Sequence, residues 1–125
     1  MATILLIDDE ELVRQTLGHT LTDGGHTVVF ASDGAEGLRQ MSGASPDLVI
    51  TDIVMPDQEG LETIMALRKL AAALPIIAIS GGGRGGSLDF LSAASALGAT
   101  RVLRKPFGKA ALLEAVNDCL SAIPS

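Results

Sequence analysis

The stretch that decides the fold is TILLIDDEELVRQTLGHTLTDGGHTVVFA, residues 3–31. It opens with the apolar run Thr3–Ile7, which is typical of a strand buried on both faces. Apolar residues then recur at helical spacing from Glu10 to Asp23, and two glycines end that helix. A second β-branched run, Thr27–Ala31, completes a strand–helix–strand unit. Such a unit predicts a parallel sheet with crossover helices.

The same alternation continues along the chain. Further strands are predicted at Leu48–Thr51, Ile76–Ser80 and Arg101–Leu103, the last of them at a sheet edge. We therefore expect an α/β fold of the flavodoxin-like, doubly wound (βα)5 type, with a five-stranded parallel sheet in the order 2-1-3-4-5. Residues 1–125 are expected to form a single domain without an output domain.

Five helices are predicted between and after these strands. The first is expected to carry Leu12 on its apolar face, and the third to carry Leu70. The fourth covers about 88–97, and the fifth begins near Lys109.

Composition excludes several classes of function. With 47% hydrophobic residues the chain can build a core without staples, and its single cysteine, Cys119, cannot form an internal disulfide. A net charge of −6 disfavours nonspecific binding to nucleic acid, and no apolar run reaches the length of a membrane helix. We expect a cytoplasmic protein that binds neither nucleic acid nor membranes.

Polar residues follow four of the predicted strands. Asp8 and Asp9 come after the first strand, Asp52 after the third, Ser80 at the end of the fourth and Lys105 after the fifth. Because the carboxyl ends of parallel strands share one edge of a sheet, these side chains should converge. Clustered carboxylates call for a cation, and an all-oxygen ligand set favours Mg²⁺. A lysine and a serine beside them suit a phosphoryl group, with Asp52 as the candidate nucleophile.

Each of these residues also has a structural explanation when it is taken alone. Acids at 8–11 would complement the dipole of the helix that follows. Ser80 could hydrogen-bond its own loop, and Lys105 could protect a sheet edge from pairing. The functional interpretation depends on their joint occurrence at the ends of four strands.

Five short segments share their order and spacing with one known family. They are Leu5–Glu10 (LLIDDE), Asp52–Pro56 (DIVMP) with Gly60 beyond it, Ile79–Ser80, Gly98–Ala99 and Arg104–Phe107 (RKPF). In this combination the chain resembles the receiver domains of two-component response regulators over essentially its whole length.

The resemblance implies a role for each matching residue. Asp52 would be the phosphoacceptor, and Asp8 and Asp9 the acidic pair that holds Mg²⁺. The carboxylate of Asp52 and the backbone carbonyl of Val54 would complete the protein ligands. 

The resemblance also assigns the residues after the last two strands. Ser80 and Lys105 would hold the phosphoryl oxygens, and the peptide bond before Pro106 is expected to be cis.

The sequence departs from the family pattern where receivers usually switch. Val102 stands where many receivers carry an aromatic residue, and Ser80 is followed by Gly81 and Gly82 in a glycine-rich loop over 81–86. A valine has no ring to move between buried and exposed positions. We therefore expect the permissive glycine backbone to carry the switch.

The expected function is that of a stand-alone receiver. It would accept a phosphoryl group from a sensor histidine kinase or a histidine phosphotransfer protein onto Asp52. It would catalyse only its own phosphorylation and slow dephosphorylation, so it is not expected to be a turnover enzyme. The signal would reach a protein target through the fourth helix, the fifth strand and the fifth helix.

Two alternatives stay open at this point. The first is a receiver-like interaction module that works without phosphorylation. The second is a Mg²⁺-dependent phosphatase with an aspartyl-phosphate intermediate, which is disfavoured because Val54 stands where such chemistry needs a second acid.

Overall fold

The computed structural model describes residues 2–52, 59–80, 98–104 and 107–121. Its strands are β1 (Thr3–Ile7), β2 (Thr27–Ala31), β3 (Leu48–Asp52), β4 (Ile76–Ser80) and β5 (Arg101–Arg104). Its described helices are α1 (Glu11–Asp23), α2 (Gly34–Ala44), α3 (Glu59–Leu70) and α4 (Lys109–Ser121). Helix α4 is the fifth helix that the sequence predicts, and the predicted fourth helix lies outside the described residues.

The strands form one parallel five-stranded sheet in the order β2-β1-β3-β4-β5. This confirms the predicted fold class and strand order. Each strand also begins at the predicted residue, and only β3 and β5 extend one residue further than predicted. 

Hydrophobic residues cover both faces of the sheet, because successive side chains of a strand point to opposite sides. On one face, Ile4 and Leu6 of β1 belong to a core that α1 and α4 complete. On the other face, Leu5 and Ile7 belong to a second core that α2 and α3 complete. The sheet is thus the middle layer of three, which explains why its central strands are almost continuously apolar.

Two leucines predicted on apolar helix faces are exposed instead. Leu12 is 74% exposed and Leu70 is 63% exposed. At about 100° per residue, Leu12 lies roughly 140° around α1 from the buried Leu17. Leu70 is the last residue of α3, roughly 120° around the helix from the buried Ile64. In both cases the prediction extended the apolar stripe too far towards a helix end.

Cys119 is buried in the core shared by α1 and α4, with 2% of its surface exposed. Burial raises the pKa of its thiol, because the charged thiolate would lose hydration. The residue is therefore a packed side chain rather than a nucleophile at neutral pH. Among the helices in the described part of the chain, none is long and apolar enough to cross a membrane.

Candidate functional site

Two buried carboxylates lie side by side at the carboxyl ends of the central strands. Ile7 of β1 pairs with Thr51 of β3, so the next residues, Asp8 and Asp52, lie next to each other at the ends of neighbouring strands. Asp8 is 1% exposed and Asp52 is 3% exposed. Neighbouring strands are about 4.8 Å apart, so the two backbone positions are close. The parallel register alone brings these predicted residues together.

Hydrogen bonds define the turn that follows β1. The backbone N–H of Asp8 donates to the carbonyl of Ala31 at 3.1 Å, which extends the pairing with β2 by one residue. The Oδ1 atom of Asp8 accepts a hydrogen bond from the backbone N–H of Glu10 at 2.9 Å. The Asp8 side chain therefore shapes the loop that enters α1, as aspartates commonly do in turns.

Three acidic residues of this turn form a compact group. Asp8, Asp9 and Glu10 each offer a carboxylate oxygen, and these oxygens lie within 4.8 Å of one another. Asp8 is buried, whereas Asp9 and Glu10 are exposed. Hard oxygen donors that remain open to water are the kind of set that Mg²⁺ accepts, since this ion keeps several of its waters. The residues present fit the expected cation.

Glu10 was not assigned as a ligand from the sequence. Of the three acids in this turn, the resemblance assigned Asp8 and Asp9 as ligands, although Glu10 continues the same acidic run. That acidic run is the signal that the sequence offers, whereas the hydrogen bond from the Glu10 N–H to the Asp8 carboxylate is seen only in the structure.

The remaining predicted residues follow β4 and β5. Asp52 pairs with Ile79, and Ser80 pairs with Arg104, so the ends of these strands lie at the same edge of the sheet as Asp52. Val102 lies on the edge strand β5 and is 36% exposed. The predicted site residues that lie outside the described residues are Val54, Gly81, Gly82, Lys105 and Pro106, together with the side chain of Ser80.

Residues 4–117 match the sequence pattern of the response regulator receiver domain. The chain belongs to this family. The receiver is 36% identical over 119 residues to the transcriptional regulatory protein GlrR of Escherichia coli K12, a match that covers 95% of this chain and 26% of GlrR. It is also 36% identical over 117 residues to the response regulator MprA of Mycobacterium ulcerans, covering 94% of this chain and 49% of MprA. The receiver thus spans between a quarter and a half of the length of these relatives.

Solved structures agree with this assignment. A response regulator receiver domain protein from Clostridium thermocellum superposes with a TM-score of 0.88 at 34% identity, covering 97% of this chain and 95% of that one. The chemotaxis protein CheY4 of Vibrio cholerae superposes with a TM-score of 0.84 at 34% identity, covering 96% of this chain and 99% of that one. The receiver fold is shared with both over nearly the whole length of this chain.

Proposed function

We propose that this receiver accepts a phosphoryl group on the carboxylate of Asp52, with Mg²⁺ bound at the neighbouring acidic turn. The observation that carries the proposal is the burial of Asp8 and Asp52 beside each other at the ends of β1 and β3. Two like charges in a poorly hydrated place repel each other, and the repulsion makes a cation the natural partner.

In the proposed reaction the carboxylate oxygen of Asp52 attacks the phosphorus of a phosphohistidine. A new O–P bond forms while the N–P bond breaks, and the imidazole leaves with the electron pair of the broken bond. Asp8 and Asp9 hold the cation, together with the carboxylate of Asp52 and the carbonyl of Val54. When bound, Mg²⁺ supplies positive charge that offsets the negative charge of the phosphoryl oxygens.

Two further residues complete the proposal. The ammonium group of Lys105 and the hydroxyl of Ser80 donate hydrogen bonds to phosphoryl oxygens, and the charged donor gives the stronger bond. The chain then catalyses its own phosphorylation and slow dephosphorylation only, and it is not a turnover enzyme.

The proposed partners are those of the family. A sensor histidine kinase or a histidine phosphotransfer protein supplies the phosphoryl group. A protein target reads the predicted fourth helix, β5 and α4, after Ser80 has drawn the loop at Gly81 and Gly82 into a new arrangement. That the receiver acts without an attached output domain stays a prediction from the sequence.

The test is a mass measurement on the intact protein after incubation with acetyl phosphate and Mg²⁺. Wild type should gain one phosphoryl mass, and Asp52→Asn should gain none. Asp23→Asn, which changes an exposed aspartate at the far end of α1, should be labelled like wild type. Equal labelling of Asp52→Asn would refute the assignment of the acceptor. A wild type that is never labelled would favour the interaction module instead.

A further inference from the structure

Arg14 of α1 reaches back to the acidic turn. Its Nη1 atom donates a hydrogen bond to the backbone carbonyl of Asp8 at 2.6 Å. Its own backbone N–H donates to the carbonyl of Glu10 at 3.0 Å, which is the first turn of the helix. One residue therefore holds both ends of the segment that carries Asp8, Asp9 and Glu10. The side chain is half-buried.

The carbonyl of Asp8 lies beyond the last residue of β1, past the regular pairing of the sheet. The N–H of Asp8 is bound to Ala31, and its Oδ1 atom is bound to the N–H of Glu10. The contact from Arg14 adds a charged donor to this set. The first two bonds hold the peptides on either side, Ile7–Asp8 and Asp9–Glu10, and the bond from Arg14 holds the peptide between Asp8 and Asp9 itself.

The position of this guanidinium is unusual for a helix. Side chains of a helix lean towards its N-terminus, so Arg14 carries its charge to the positive end of the helix dipole. A cation there is unfavourable unless other groups offset it. The hydrogen bond to the carbonyl of Asp8 does so. The contact thus depends on the acidic turn rather than on the helix.

We propose that Arg14 is a positioning residue for the cation site: it holds the Asp8–Asp9 peptide, and through it the directions of the Asp8 and Asp9 carboxylates. It acts through the backbone and does not contact the cation. The proposal rests on the proposed function, in which Mg²⁺ binds at this turn. Mg²⁺ demands near-ideal octahedral geometry, so it is sensitive to the aim of its ligands. 

Two effects of Arg14 on cation binding have opposite signs. If its charge dominated, removing the guanidinium would relieve repulsion of the cation and tighten Mg²⁺ binding. If positioning dominates, removing it weakens binding, by roughly 10-fold on the scale known for groups that orient metal ligands. The direction of the change therefore decides between the two.

The experiment is a calorimetric Mg²⁺ titration of the metal-free protein, without any phosphodonor. We expect Arg14→Met to raise the Mg²⁺ dissociation constant by roughly 10-fold. Arg14→Lys, which keeps a charged donor, should recover part of the affinity. Arg39→Met, which removes an exposed arginine of α2, is the matched control and should bind like wild type. Circular dichroism in EDTA verifies that each variant is folded.

The outcomes separate this inference from the proposed function. Unchanged or tighter Mg²⁺ binding by folded Arg14→Met overturns the role of Arg14 and leaves the proposed function standing. A wild type that binds no Mg²⁺ overturns both. If Arg14→Met does not fold, Arg14→Ala, which also lacks a donor, takes its place, with weaker binding supporting positioning and equal or tighter binding overturning it.

Discussion

Two arginines at opposite ends of the strands both donate hydrogen bonds to backbone carbonyls, but in different surroundings. Arg14 donates to the carbonyl of Asp8 at 2.6 Å at the carboxyl ends of the strands. Arg68, in the last turn of α3, donates to Leu74 at 2.7 Å and to Gly98 at 2.5 Å, both near the amino ends of the strands. Both side chains are half-buried.

The two arginines differ in the helix end at which each guanidinium lies. Arg68 also donates to the carbonyls of Ala71 and Ala72, groups that follow the end of α3. A cation is favourable at a helix C-terminus, so the backbone alone explains Arg68. Arg14 lies towards a helix N-terminus, where a cation is unfavourable, and its side-chain hydrogen bond goes to the carbonyl of Asp8 in the acidic turn. The contacts at the amino ends of the strands, where Arg68 lies, therefore stabilise the fold. The carboxyl ends, where Arg14 lies, instead carry a group of acidic side chains.

The largest expected effect is an increase in the free energy of unfolding when Mg²⁺ binds at the carboxyl ends of the strands. Ligand bound only to the folded state adds about 2.7 kcal/mol to the free energy of unfolding at 100 times its dissociation constant. Asp9→Asn should lose most of this gain, because one carboxylate of the turn is removed. Urea unfolding with Mg²⁺ or with EDTA measures it. An equal Mg²⁺ effect in wild type and Asp9→Asn would place the cation elsewhere.

The next effect is the loss of the Arg68 contacts. Arg68→Ala should lower the free energy of unfolding by about 2 kcal/mol, because one charged donor serves several carbonyls. The Mg²⁺ increment should stay as in wild type. If Arg68→Ala also abolished that increment in folded protein, Mg²⁺ binding at the carboxyl ends of the strands would depend on the contacts at their amino ends, against this prediction.

The features of the fold and site that the sequence predicted are those that depend on periodicity and topology. Strand bounds came out within one residue because Leu48–Ile50 and similar runs are buried on both faces. The adjacency of Asp8 and Asp52 followed from the strand order, which puts β1 next to β3. Neither step requires knowledge of side-chain positions.

The parts that the sequence did not predict depend on where individual side chains reach. Spacing places Arg14 on a face of α1, but it does not say which carbonyl the long side chain meets. The same holds for the inclusion of Glu10 in the acidic group. The exposure of Leu12 was missed because a stripe of leucines was extended into the first turn of the helix.

A smaller effect is expected at Gly98, whose carbonyl accepts a hydrogen bond from Arg68 near the amino ends of the strands. Its φ of +125° is rarely adopted by other residues, and an added Cβ would lie 2.9 Å from Nε of Arg68. Gly98→Ala should therefore cost about 1–2 kcal/mol of unfolding free energy, with Mg²⁺ binding unchanged. Gly43→Ala is the matched control, because a Cβ there meets nothing within 4 Å in helix α2. That control should be neutral or slightly stabilising. Equal costs in both variants would remove the role assigned to Gly98.

Asp52, at the carboxyl end of β3, is the proposed phosphoacceptor, and reductive trapping tests this central claim most directly. Borohydride reduces an aspartyl phosphate to homoserine, so peptide mapping after labelling with acetyl phosphate and Mg²⁺ reports which aspartate was modified. The account predicts homoserine at position 52, and no conversion at Asp8 or Asp9. Homoserine at either of those positions with none at 52 would contradict it.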